Sequence, residues 1–354
     1  MPPQQPRYKE TACKSVLGKT GPLDTQFWTS YTFDPYNNCE FNCIYCHAAA
    51  QKNDGTREFC APVYAKTNAP EVLAKELSSV KRKGVARLSL NTDPYQPAEE
   101  KYQITRQLLE LLKENGWPFA IGTKSDLILR DLDLIKQASE KSWVCIGLTV
   151  TTLDEKLAKL LEPNAPSPRK RLEAVKKLSD EGIMVGVWLI PLIPHVNDSY
   201  QNMDEVIGAA VDNGARFVLT GMLDMRGSIR FTKFLKEHYA EYAPLYEKLY
   251  EGKPTKPSCG DMEESYLYNA YSRFISLCEK HKVESYIPHF YSRKQALLFY
   301  IRNFSKFKGT PSFELNQSLN FLFPSKELLQ TIQIRTGKQR LSKAILKTFG
   351  YFPK

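Results

Sequence analysis

Between residues 28 and 220 the chain alternates short, almost unbroken apolar runs with longer stretches whose apolar positions recur every three or four residues. Trp28 to Phe33 alternates large apolar and hydroxyl side chains and predicts a first strand. Pro70 to Lys83 places Val72, Leu73, Leu77 and Val80 at helical spacing, with proline near its start and Gly84 at its end. Val85 to Leu90 predicts a second strand, Ile104 to Asn115 a helix, Phe119 to Gly122 a third strand and Ile128 to Ser139 a helix. The alternation continues with a strand over Trp143 to Val150, a helix over Ser167 to Glu181 and a strand over Ile183 to Ile190. A helix over Met203 to Asn213 and a sixth strand over Arg216 to Leu219 complete the series, with Gly182 and Gly214 as helix stops.

Six strands separated by helices predict a parallel sheet with right-handed crossovers. Strands this continuously apolar are buried on both faces. Such a sheet is either open and doubly wound or curved into a barrel, and the absence of a glycine-rich turn after the first strand weakens the dinucleotide-binding version. Beyond Thr220 the pattern changes. Phe231 to Tyr250 and Glu264 to Lys282 predict helices, Gly252 to Ser258 a loop, Val283 to Ile287 an edge strand, and Phe304 to Asn320 irregular chain.

Composition adds limits. A chain of 354 residues can bury a sizeable core, and 42% hydrophobic with 25% charged residues is an ordinary soluble composition. The longest apolar run, Ile183 to Pro194, contains two prolines and is too short to span a bilayer. The N-terminus, Met1-Pro-Pro-Gln-Gln-Pro-Arg-Tyr, has no apolar core of a secretory signal, so the eight cysteines are expected to be reduced thiols or metal ligands in the cytoplasm. A net charge of +10, with dense basic runs over Arg302 to Lys308 and Lys338 to Lys354, favours a polyanionic partner.

Three of the cysteines change the picture most. Cys39, Cys43 and Cys46 lie in the run Asp34-Pro-Tyr-Asn-Asn-Cys-Glu-Phe-Asn-Cys-Ile-Tyr-Cys-His47, just after the first predicted strand. Thiolates at this spacing can converge on one face of a 4Fe-4S cluster, and with only three donors one iron keeps an open position. Structural zinc completed by a distant ligand is an alternative, which would make the chain a zinc-containing nucleic-acid-binding protein. Cys43-Ile-Tyr-Cys46-His47 also has the form of a haem attachment site, but that reading leaves Cys39 without a role and normally follows export.

The loop resembles the cluster motif of radical S-adenosylmethionine (radical SAM) enzymes, and the resemblance continues downstream in order. Asn91-Thr-Asp-Pro-Tyr-Gln-Pro-Ala-Glu99, Gly122-Thr-Lys-Ser-Asp-Leu-Ile-Leu-Arg130 and Thr149-Val-Thr-Thr-Leu-Asp154 each follow a predicted strand. Glu162-Pro-Asn-Ala-Pro-Ser-Pro-Arg169 and Pro191-Leu-Ile-Pro-His-Val-Asn-Asp198 come next. The series is similar to the branch related to spore photoproduct lyase and runs from about residue 13 to 225. It implies an α/β fold, a partial (β/α)6 TIM-like barrel with a mostly helical C-terminal extension. The expected organisation is an N-terminal extension over 1–27, the barrel over 28–225, and an extension over 226–354 that closes one side and contacts substrate.

The resemblance also implies a 4Fe-4S cluster and S-adenosylmethionine as cofactors, a flavodoxin- or ferredoxin-type electron donor, and a substrate that is DNA, RNA or protein. Thr92 and Asp93 are then expected to accept hydrogen bonds from the cofactor's ammonium group, and Lys124 to pair with its carboxylate. Thr149 and Thr151 offer hydroxyls to ribose or carboxylate, Tyr45 and His47 pack on adenine, and Glu162 and Arg171 complete the set. Ordinary strand propensity accounts for the threonines as well, and a turn for Asp93-Pro94. Asn197 and Asp198 are expected to cap the helix that begins near Tyr200.

One departure bears on the reaction. The resemblance to the spore photoproduct lyase branch implies a hydrogen-donating cysteine at the end of the second strand, where this chain reads Arg87-Leu-Ser-Leu-Asn-Thr-Asp93. Neither Cys60 nor Cys259 is placed near the site by the sequence. Cys39→Ala, Cys43→Ala and Cys46→Ala are each expected to abolish cluster assembly, because each leaves two irons without protein thiolates. Iron and sulfide analysis after anaerobic reconstitution checks this, with Cys13, Cys145 and Cys278 replaceable without loss.

Overall fold

The computed structural model describes residues 7–24, 27, 29–48, 62–81, 83–88, 91–225, 228–251 and 262–288. The chain divides into two compact units, 1–287 and 288–354, and the second lies outside the described residues except for Pro288. Trp28, Cys60, Cys259, the loop 252–258, the irregular stretch 304–320 and both C-terminal basic runs also lie outside them.

The chain opens with strands β1 (Tyr8–Thr11), β2 (Gly18–Asp24), β3 (Thr29–Phe33), β4 (Tyr36–Asn37) and β5 (Val63–Lys66). The alternating part follows: α1 (Ala69–Ser79), β6 (Ala86–Leu88), α2 (Ala98–Tyr102), α3 (Ile104–Glu114), β7 (Phe119–Thr123), a 3-10 turn over Asp126–Asp131, α4 (Leu132–Lys141) and β8 (Val144–Thr149). Then come α5 (Glu155–Leu161), α6 (Pro168–Asp180), β9 (Val185–Leu192), α7 (Tyr200–Asp212) and β10 (Val218–Met222). The described chain closes with α8 (Ser228–His238), a 3-10 turn over Ala240–Tyr242, α9 (Ala243–Leu249) and α10 (Glu264–Lys280).

Strand order in the main sheet is β10-β9-β8-β7-β6-β3-β2, with every pair parallel except β2 and β3. Six consecutive parallel strands with intervening helices form the partial (β/α)6 barrel. A second small sheet, β1-β5-β4, is built from segments too short and too mixed in polarity to show a period in the sequence.

The two faces of the main sheet differ in bulk. One carries buried aliphatic side chains, among them Ile121, Ile146, Leu148, Val185 and Val187, on which the helices pack. The concave face has Gly122, Gly147 and Gly186 in register on neighbouring strands. Trp188 reaches from β9 across the first two: a Cβ on Gly147 would lie 2.1 Å from the indole Nε1, and one on Gly122 2.0 Å from Cζ3. The curvature thus depends on absent side chains as much as on present ones.

The sequence places most of these elements, with three instructive differences. The single helix expected over Phe231 to Tyr250 breaks into α8, a 3-10 turn and α9, because Pro244 at the start of α9 has no N–H for the preceding turn and its ring clashes with a continuing helix. Asn197 and Asp198 do not cap α7; Ser199 does, accepting from Asn202 N at 3.1 Å. The edge strand expected over Val283 to Ile287 is a single bridge between Phe217 and Glu284. Among the described residues no helix is long and apolar enough to cross a membrane.

Gly147→Ala is expected to destabilise the protein by about 1–3 kcal/mol, because the new methyl must displace the indole of Trp188 from a packed layer. A urea midpoint measured by far-UV dichroism checks it, and an unchanged midpoint would mean that the indole moves without loss.

Candidate active site at the mouth of the barrel

The loop after β3 carries the three cysteines and has little regular structure of its own, so side chains supply its hydrogen bonds. Asn38 and Asn42 take positive φ values of 66° and 55°, which lets the chain double back between the thiols. Gln96 closes the loop from the β6 side, accepting from Glu40 N at 2.9 Å and donating to Asn38 O at 3.0 Å. Asn164 donates to Glu40 O at 2.8 Å, and Arg230 of α8 donates to Asn42 O at 3.0 Å. The Glu40 carboxylate accepts from Ala98 N at 2.8 Å and pairs with Arg7 at 2.5 Å. Residues far apart in sequence therefore fix one short loop.

Cys39 and Cys43 are buried, Cys46 is half-buried, and all three are free of disulfides. Burial pushes the Cys39 thiol well above the usual thiol range, with Asp93 and Cys43 adding to it. Burial likewise pushes Cys43 up to about 12, with Glu162 and Cys46 acting in the same direction and Lys124 against it. Thiols in such surroundings are unreactive until coordination to a metal removes the proton.

Asp93 follows β6 and is buried. Its carboxylate accepts from Thr123 Oγ1 at 2.6 Å, Tyr95 N at 3.0 Å and Lys124 N at 2.7 Å. Burial raises its pKa, and these three bonds work against that rise. Thr92 donates to Tyr36 O at 3.3 Å, and its amide bonds Asp34 at 3.2 Å. The Asn-Thr-Asp motif thus ties the ends of β3, β6 and β7 together.

Lys124 projects from the end of β7 with its ammonium 5.6 Å from the Tyr45 ring centroid. Burial lowers its pKa, but the Cys43 and Glu162 charges outweigh this and the net direction is up. Among the described residues that ammonium has no hydrogen-bond partner.

Glu162 and Arg171 form an ion pair of 2.5 Å in which each is 1% exposed. Tyr45 donates its hydroxyl to Glu162, and Thr151 Oγ1 donates to the same carboxylate at 3.4 Å. Arg171 also donates to Thr149 O at 2.9 Å and Pro166 O at 2.8 Å. Burial alone would raise the Glu162 pKa; Arg171, then Lys124 and Tyr45, reverse it and hold the carboxyl below its ordinary value. Tyr45, Lys124, Thr149, Thr151, Glu162 and Arg171 are thereby linked around the cysteine loop, and His47 sits half-buried beside Cys46.

The sequence reading expected the chain after residue 225 to close one side of the barrel but named no residue of the cover. Phe231, Phe234 and Leu235 of α8 and Tyr246 of α9 form one buried cluster with Cys39, Phe41, Cys43 and Tyr45. It also missed the rim after β9. There Asn197 accepts from Ile193 N and donates to Thr151 O, while Asp198 accepts from His195 N at 2.7 Å and Tyr266 OH at 2.5 Å. The helical period of α8 was visible in the sequence, but not the surface it covers.

The residues present fit a four-iron cluster. Cys39, Cys43 and Cys46 are free thiols of one loop, and a four-iron cube takes each thiolate on a different iron. A parallel partial barrel with three free cysteines in the loop after its first strand, two of them buried, is the arrangement of a class of cluster-dependent enzymes. The signature of the Radical SAM superfamily matches residues 33–207, and the chain belongs to that family. It is 33% identical over 259 residues to an uncharacterised protein of Mycobacterium tuberculosis, covering 71% of this chain and 75% of the relative. A protein of Methanocaldococcus jannaschii is 30% identical over 212 residues, 60% of this chain and 77% of its own. The Radical SAM Nalpha-GlyT isomerase of Pseudomonas phage M6 is 23% identical over 185 residues, 51% of this chain and 37% of its own. Among solved structures, a spore photoproduct lyase mutant with bound AdoMet and dinucleoside spore photoproduct shares the fold. Its TM-score is 0.60 at 12% identity, over 80% of this chain and 82% of that one.

Arg171→Leu is expected to cost about 3–5 kcal/mol of stability, because it leaves the Glu162 carboxylate buried without its partner. Glu162 is held below its ordinary pKa, so its contribution is complete above the unfolded-chain value of about 4.3 and is lost as pH falls below it. Denaturant midpoints across that pH range check both points, and Glu162→Gln should flatten the acid loss.

Proposed function

We propose that this protein reductively cleaves S-adenosylmethionine at a 4Fe-4S cluster held by Cys39, Cys43 and Cys46, and abstracts hydrogen from a nucleic-acid substrate. The observation that carries the first part is the packing of buried Cys39 and Cys43 and half-buried Cys46 into one cluster with Tyr45, which the Lys124–Glu162–Arg171 group joins. When bound, the cluster supplies the electron that splits a sulfonium–carbon bond.

The chain's own residues then bind, orient and exclude water. The Lys124 ammonium is the partner for the cofactor carboxylate, and Asp93 acts through it by fixing its backbone amide. Thr92, with its hydroxyl held at Tyr36 O, lies beside Asp93 in the same wall. Thr149 and Thr151 form the ribose side, while Tyr45 and His47 face the adenine. Glu162 and Arg171 hold Tyr45 and the end of β8 in place. The α8–α9 aromatic cover keeps the site dry, which strengthens every charge interaction inside it. A flavodoxin- or ferredoxin-type protein supplies the electron, in the cytoplasm.

The net charge of +10 supports the choice of a polyanionic substrate. Arg87 to Asp93 contains no cysteine, so the proposal does not extend to repair with a hydrogen donor from that strand. The test is anaerobic incubation with deuterium-labelled DNA, RNA and peptides, following the label into 5′-deoxyadenosine. Label is expected from nucleic acid, with binding that weakens steeply as salt rises. Label from peptide alone, with absent or salt-insensitive nucleic-acid binding, would overturn the substrate class and leave the radical chemistry standing.

A further inference from the structure

Arg230 lies on α8, outside every motif that the sequence singles out, and reaches back over the barrel to the cysteine loop. Its Nη2 donates to the carbonyl of Asn42, the residue immediately before Cys43 and one of the two loop positions with positive φ. Its Nη1 is buried and has no hydrogen-bond partner. Among the described residues Arg230 forms no ion pair, whereas Arg171 is matched by Glu162. The next residue, Phe231, belongs to the apolar cluster that contains Cys39 and Cys43. A guanidinium is therefore brought into the wall of the cysteine loop with one anchored N–H, one buried unanswered N–H and, among the described residues, no neutralising carboxylate.

A buried N–H without an acceptor is costly and calls for an explanation, one of which is a bound group that supplies the acceptor. Around a three-thiolate loop, that acceptor is sulfur carrying negative charge. Reduction adds one further negative charge, and a fixed cation in a dry wall favours the more negative state. We propose that Arg230 is a positioning residue that sets the reduction potential of the cluster held by Cys39, Cys43 and Cys46. It does so by fixing the loop at Asn42 and by presenting its charge and free N–H to the cluster. The inference rests on the cluster reading above, and it couples the helix that covers the site to the ease with which an electron enters it.

The experiment uses the full chain, reconstituted anaerobically as wild type, Arg230→Lys and Arg230→Gln. Iron and sulfide content is measured, and each protein is then titrated redox-potentiometrically with electron paramagnetic resonance detection. All three are expected to carry the cluster, since the thiols are intact. The midpoint of Arg230→Gln is expected to shift to a more negative potential, with Arg230→Lys, which keeps the charge, closer to wild type. A fully loaded Arg230→Gln with the wild-type midpoint overturns the proposal, even if its S-adenosylmethionine affinity has changed. Loss of the cluster from both variants while the wild type is loaded also overturns it, because the residue would then act in assembly alone. A wild type with no iron–sulfur signal would instead sink the cluster reading on which the inference rests.

Discussion

The buried pair of Glu162 and Arg171 is the interaction on which the mouth of the barrel depends. Removing two charges from water costs several kcal/mol per ion, and their attraction offsets this only when the remaining hydrogen-bonding groups are also satisfied. Here the remainder is shared out over the site. Tyr45 from the cysteine loop and Thr151 beyond β8 answer the carboxylate, and the carbonyls of Thr149 and Pro166 answer the guanidinium. The pair therefore cannot persist unless the cysteine loop, the end of β8 and the start of α6 are all in place. A charge pair with so little intrinsic gain acts as a geometric condition.

The same device recurs around the mouth. Loops that follow parallel strands have backbone groups without ladder partners, and buried or half-buried acidic side chains take them up. Asp34 binds the amides of Asn91 and Thr92, Asp93 those of Tyr95 and Lys124, Glu40 that of Ala98, and Asp198 that of His195. Each carboxylate joins the loop of one strand to a neighbouring segment. This keeps irregular chain rigid, as a site that must exclude water and side reactions requires.

The concave face and the cover work from opposite sides of that rim. Gly122 and Gly147 let Trp188 lie flat against the sheet beneath the mouth, and the aromatic side chains of α8 and α9 seal the cysteine loop. Between them lie the cationic Lys124 and the three thiols. Opposite charges in a dry layer interact far more strongly than at a surface, so a few well-placed residues can govern cofactor binding and electron entry.

The order of strands and helices and the clustering of three thiols were legible in the sequence, because apolar periodicity reports burial and close spacing confines ligands to one loop. The break at Pro244 and the cap at Ser199 departed from that reading, although each follows from local backbone chemistry. The role of Asp93 was not legible. Its sequence neighbours mark a turn, whereas its carboxylate is spent on Thr123 and Lys124, about thirty positions away. Arg230 and Phe231 likewise read as parts of an ordinary amphipathic helix. Periodicity says which face of a helix is buried but not against what, and only the tertiary fold lays that face over the cysteine loop, 188 residues from Arg230 to Asn42.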